Sequence, residues 1–183
     1  MTMRASVEKF DGADRNLSAV TLTIRTNTMR HALSILAGIL VGAHALAAEF
    51  DWKTRFSEGL VDADGKAVDV STLKGKVVAV YHSAHWCPPC RAFTPQLVAF
   101  ANAHKEKLAV VFVSYDRTPA DMTKYMKETS MPWAAVPFKA PSGKKIADEN
   151  GIRGIPSLVV YGRDGALVTK NGRNLDELAK ILK

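Results

Sequence analysis

The sequence predicts an α/β layer structure with a mixed central sheet flanked by helices, and three features carry that reading. Two continuous Val-rich apolar runs, 77–83 (VVAVYHS) and 107–116 (KLAVVFVSYD), have the length and composition of buried strands. Each is followed by a segment whose apolar residues recur at helical spacing. A hairpin pattern and an amphipathic helix then close the chain, so strand, helix, strand, helix, hairpin and helix follow in order.

From residue 53 to 76 the signals are of turns and short strands, and Asp64-Gly65 between apolar edges has the turn chemistry of a hairpin. Asp62 and Asp64 suggest a calcium loop only superficially, because Lys66 stands where a third oxygen ligand belongs. After the first long strand, "PCRAFTPQLVAFANAH" predicts a helix with Phe93, Leu97, Phe100 and Ala101 on one face and a kink at Pro95. After the second, Thr118 caps a helix with Pro119 at its first position and an apolar stripe of Met122, Tyr125 and Met126. A Pro-rich connection, "MPWAAVPFKAP", leads to a short helix around 144–149 ended by Asn150-Gly151. Asp164-Gly165 turns the last hairpin, and Asn174 caps the final helix with Glu177 three residues on.

The front of the chain has a different character. Residues 29–47 run from basic Arg30 and His31 through an apolar stretch to small residues, the three-part pattern of a secretory signal peptide. Ala45-Leu46-Ala47 fits the cleavage triplet, and an uncleaved membrane anchor is the alternative. The expected organisation is a leader of doubtful status at 1–28, with Met29 the expected start, a signal at 29–47 and one domain at 48–183. Export to the periplasm or beyond follows from that reading. The net charge of +7 is scattered, with Lys144-Lys145 the only adjacent basic pair, which argues against a nucleic-acid surface.

Cys87 and Cys90 are the only cysteines in 183 residues. They are a redox couple, a metal clip or two thiols that happen to be close; a structural staple is excluded, because so short a loop gives little chain-entropy stabilisation. Cys87 falls between a buried strand and the first turn of a helix, where free N–H groups and the helix dipole favour a thiolate. Cys90 lies one turn on, on the same face, within disulfide reach. Pro88 and Pro89 fix the intervening turn. A low-pKa thiol with a resolving thiol beside it is what thiol–disulfide exchange requires.

"WCPPC", after a Val-rich strand and before a Pro-containing helix, resembles the thioredoxin-fold oxidoreductases. With "WCPPCRAFTPQL", "MPWAAVPF" and "GIPSLVV" the similarity is to the tryparedoxin and nucleoredoxin branch, from about Leu60 to the C-terminus. The resemblance implies a cis Ile155–Pro156 bond facing the disulfide, with Ile155 and Pro156 docking a substrate strand and Trp86 offering a flat apolar surface or packing in the core. Many thioredoxins carry a buried acid six residues before the first cysteine. Here that place is Tyr81, which leaves Asp116 the nearest substitute proton acceptor on topology, while His85 is placed to tune Cys87 by its charge.

The expected function is reduction of protein disulfides through Cys87 as nucleophile and Cys90 as resolver, with no cofactor beyond the pair, a membrane or soluble electron donor, no nucleic-acid partner and a monomeric state. Pro88-Pro89 offers neither a polar side chain nor an N–H to the thiolate, so the site should be a reductant or isomerising partner rather than a primary oxidant. The rival is a copper-binding or metal-delivery protein of the same fold, using Cys87, Cys90 and His82 or His85.

Overall fold

The computed structural model describes residues 50–183; the leader at 1–28 and the signal pattern at 29–47 lie outside the described residues. Seven strands form one mixed sheet in the order β2-β1-β5-β4-β3-β6-β7. At its centre β3 (Val77–Ser83) pairs in parallel with β4 (Leu108–Ser114) and antiparallel with β6 (Ser157–Tyr161). All seven residues of β3 are buried, which is why it reads as a continuous apolar run rather than an alternating one.

Alternation along β3 divides the core. Val77, Ala79 and Tyr81 face one side, packed with Leu97 of α2 (Pro88–Ala103), Met122 and Tyr125 of α3 (Pro119–Glu128), and Leu178 of α5 (Leu175–Ile181). Val78 and Val80 face the other, with Trp52 of α1 (Trp52–Arg55) and Ile146 of α4 (Pro141–Asn150). The stripe on α3 is buried as its spacing predicts, and each such side chain removed from water stabilises the fold by about 1.5–3 kcal/mol.

The expected punctuation is present. Asp62 closes the turn between β1 (Leu60–Val61) and β2 (Ala67–Val68) by accepting the N–H groups of Asp64 and Lys66 at 2.8 and 2.9 Å. Thr118 caps α3 through the Asp121 N–H, and Asn174 caps α5 through the Glu177 N–H. Gly151 ends α4 with φ of 64°, a left-handed conformation that glycine adopts without steric cost. The second hairpin joins β6 to β7 (Leu167–Thr169).

Three features depart from the sequence reading. The stretch read as turns and short strands also holds α1 and a 3₁₀ turn at Val70–Leu73, each opened by an aspartate side-chain cap, Asp51 and Asp69. Four-residue elements are too short for periodicity to register. The Pro-rich connection contains β5 (Ala134–Ala135), held in the sheet by β4 and β1 rather than by any propensity of its own. Helix α4 begins at Pro141, three residues before the expected start, because proline suits the first helical position.

Candidate active site

The strand β3 delivers its C-terminal end to a tight turn, where the Cys87 N–H bonds the Ala84 carbonyl at 3.3 Å. Cys87 is the N-cap of α2. A capping group ordinarily accepts from the second or third helical N–H. Here the first two helical residues are Pro88 and Pro89, which have none, so the sulfur of Cys87 accepts from the Cys90 N–H at 3.3 Å. The two cysteines form a disulfide with Cα atoms 5.2 Å apart. Cys87 is 3% exposed and Cys90 0%, so both are nearly covered and their asymmetry lies in position. Cys87 sits at the positive end of the helix, and Cys90 is sunk one turn inside it.

The Ile155–Pro156 bond is cis and lies against this pair. The Ile155 carbonyl oxygen is 3.8 Å from the Cys87 sulfur, and Ile155 packs with Ala84, Cys87 and Cys90 in a small apolar cluster. Trp86 is 55% exposed, which removes the core-packing alternative. Its indole N–H donates to the Tyr115 carbonyl at 3.0 Å, and Tyr115 is itself exposed beside it. The disulfide thus has the Ile155 carbonyl beside it and exposed Trp86 next to Cys87 in the chain.

Asp116 is only 5% exposed, and it holds the turn rather than facing solvent. One carboxylate oxygen accepts the His85 N–H at 2.7 Å and the other accepts the Ser114 hydroxyl at 2.8 Å. His85 turns its ring toward α3, where Nε2 meets the Glu128 carboxylate at 2.8 Å and the ring rests against Tyr125. His82 is fully buried on the opposite sheet face from Tyr81, with Nδ1 3.4 Å from the Tyr115 hydroxyl and Nε2 without a partner. Desolvation pushes its pKa down from 6.5 to about 4. These contacts draw the two imidazoles to different neighbours instead of bringing them together on the sulfurs. Among the described residues no group of three or more His, Cys, Asp or Glu side chains is arranged to hold a metal ion.

Tyr81 occupies the buried position expected of it, and burial raises its hydroxyl pKa far above the usual tyrosine value. Its hydroxyl lies 2.8 Å from that of Thr94 and 3.4 Å from the Cys90 carbonyl. Sequence reasoning missed Thr94, although its spacing of four from Cys90 places both on one helix face. It also missed Tyr115, whose contact with Trp86 spans 29 residues and leaves no local signal.

Fold and paired sulfurs together define a thioredoxin-fold redox protein with a CxxC-type cysteine pair. Residues 75–167 match the family described as thioredoxin-like, and the chain belongs to that family. Within it, the similarity is to nucleoredoxins and tryparedoxins. Probable nucleoredoxin 1 of Arabidopsis thaliana is 44% identical over 115 residues, 61% of this chain and 20% of that protein. Nucleoredoxin of Danio rerio is 39% identical over 134 residues, 68% of this chain and 32% of that protein. The solved structure of tryparedoxin II from C. fasciculata superposes with a TM-score of 0.61 at 34% identity, covering 70% of this chain and 87% of that one. The chain thus spans between a fifth and a third of the length of these two curated relatives. The relatives also correct one expectation. Nucleoredoxins are intracellular, which overturns the periplasmic or secreted location read from residues 29–47, along with cleavage near Ala47 and membrane anchoring.

Proposed function

We propose that the domain, taken as residues 48–183, reduces protein disulfides by dithiol exchange. The observation that carries this reading is the position of the Cys87 sulfur. It caps a helix N-terminus, accepts the Cys90 N–H and lies 3.8 Å from the Ile155 carbonyl oxygen, next to exposed Trp86 in the chain. In the reduced protein the Cys87 thiolate attacks one sulfur of a substrate disulfide, and the other substrate sulfur leaves as a thiolate. Cys90 then attacks the Cys87 sulfur, which breaks the mixed disulfide, forms the Cys87–Cys90 bond and releases the second substrate thiol. Two electrons pass to the substrate, and a dithiol electron donor restores the pair.

Trp86, Ile155 and Pro156 form the docking surface for an extended substrate segment, with the Ile155 carbonyl accepting its N–H. Asp116 and His85 act on Cys87 through the turn they fix. The reducing direction rests on donors. Pro88 and Pro89 supply no N–H, so the thiolate has one helical donor, Cys90 N–H, where a richer turn would supply more. A modestly stabilised thiolate makes a modestly stabilised reduced state.

Equilibration of the purified protein against a glutathione series tests this. The expected midpoint lies between roughly −270 and −180 mV, whereas a midpoint near about −120 mV would reverse the direction. Cys87→Ser abolishes insulin reduction on this reading, and Cys90→Ser accumulates mixed disulfides.

A further inference from the structure

Beneath Cys90 four buried hydroxyls close on one another. Tyr81 lies 2.8 Å from Thr94, Thr94 2.5 Å from Tyr125, Tyr125 3.2 Å from Ser83, and Ser83 3.0 Å from Tyr81. All four residues are 0% exposed. They come from two elements besides α2: Tyr81 and Ser83 project from the same face of β3, and Tyr125 from the buried stripe of α3. The ring has one outlet. Thr94 donates to the Cys90 carbonyl at 2.9 Å, and the Tyr81 hydroxyl reaches the same oxygen at 3.4 Å.

Such an arrangement is costly to build and to keep. A buried hydroxyl without a partner is unfavourable by roughly 1–3 kcal/mol, and three of these four residues, the two tyrosines and the threonine, have apolar near-isosteres in Phe and Val. Its position answers a local weakness of the helix. Pro95 brings no N–H to the Arg91 carbonyl, so the turn that carries Cys90 is joined to the rest of α2 by one bond fewer than an ordinary helix would have. The ring grips the neighbouring carbonyl, that of Cys90 itself. It also fills with neutral groups the place where an ionisable acid stands in many thioredoxins.

We propose that the ring of Tyr81, Ser83, Thr94 and Tyr125 is a positioning device for Cys90, with Thr94 its point of attachment, and that it serves the second step of exchange and not the first. The inference rests on the assignment of Cys87 as nucleophile and Cys90 as resolver. In that second step the Cys90 sulfur must approach the Cys87 sulfur in line with the bond being broken, while the proton of its thiol passes to the departing partner sulfur or to solvent. A Cys90 backbone free to rock about Pro95 would miss that alignment, and Cys87 at the helix cap would be unaffected.

The reduced protein reacted with 5,5′-dithiobis(2-nitrobenzoate) separates the steps. Attack by Cys87 releases one coloured thiolate and leaves the second on Cys87; attack by Cys90 releases the second. Thr94→Val is expected to leave the first phase unchanged and to slow the second about tenfold, the kinetic equivalent of one hydrogen bond. Thr94→Ser, which keeps the hydroxyl, restores it. A second phase at the wild-type rate in Thr94→Val, or one as slow in Thr94→Ser, would overturn the proposal. If Thr94→Val does not fold, the Tyr81→Phe, Tyr125→Phe double variant opens the ring on both sides of Thr94, and it must slow the second phase for the proposal to stand. The underlying assignment fails separately: a rapid first phase that survives in Cys87→Ser means that Cys87 is not the nucleophile, whatever Thr94 does.

Discussion

Acidification from about pH 7.5 to about pH 4.5 probes the imidazole buried behind the active site. His82 is 0% exposed, its Nε2 has no partner, and desolvation lowers its pKa from 6.5 to about 4. Below pH 6.5 the unfolded chain takes up a proton at this position that the folded chain refuses until about pH 4. Stability from the neutral imidazole is therefore complete above pH 6.5 and is lost as pH falls through the interval between the two values. One pKa unit corresponds to about 1.4 kcal/mol, so the loss should reach roughly 1.4 kcal/mol at pH 5.5 and about 2.5 kcal/mol at pH 4.5. Glu58, Asp64 and Asp69 also have lowered pKa values, through hydrogen bonds or an ion pair, and lose their contributions as pH falls below the ordinary carboxylate range. Comparison with His82→Phe removes them, since they are common to both proteins. Urea denaturation followed by tryptophan fluorescence at several pH values gives the difference curve. It should rise by 2–3 kcal/mol in favour of the variant across this window, on the order set by the His82 shift. A flat difference curve would mean that the imidazole is hydrated or protonated in the folded state, and the burial argument would fail.

Two further outcomes follow from the site. Trp86→Ala should leave thermal stability within about 0.5 kcal/mol, because the ring is 55% exposed, yet slow reduction of a protein disulfide more than reduction of a small aromatic disulfide. Equal slowing of both substrates would remove Trp86 from the docking surface. Asp116→Ala leaves the His85 N–H and the Ser114 hydroxyl without their carboxylate, so a loss of about 1–3 kcal/mol in chemical denaturation is expected; an unchanged midpoint would show that the turn holds without it.

The layer structure was legible because β3 and β4 are long, apolar and rich in Val, and because the helix caps at Thr118, Gly151 and Asn174 are local chemistry. Cys87 and Cys90 were legible for the same reason: three residues fix their geometry. What escaped was everything made by distance. Alanines 134 and 135 are a strand only because β4 and β1 lie on either side of them. Topology offers Asp116 as a proton acceptor, but its hydrogen bond from the His85 N–H spans 31 residues and leaves no local signal. Tyr125 was read as a core aromatic, which its ring is; the hydroxyl at its tip belongs to the site.

Neighbouring residues on one strand explain how the two sulfurs come to differ. Tyr81 and His82 lie near the end of β3 on opposite faces, and both are buried. Tyr81 is held neutral because burial raises its pKa, and His82 because burial lowers its own. Neither presents a charge to the disulfide near neutral pH. The surroundings of Cys90 are accordingly polar without being ionic, and they act on it through hydrogen bonds to its backbone. The field that favours a thiolate is concentrated at Cys87, where the helix end and the Cys90 N–H converge. The proposed two-step exchange needs a nucleophile favoured as thiolate at the cap and a resolver one turn inside, and a neutral floor does nothing to oppose that order.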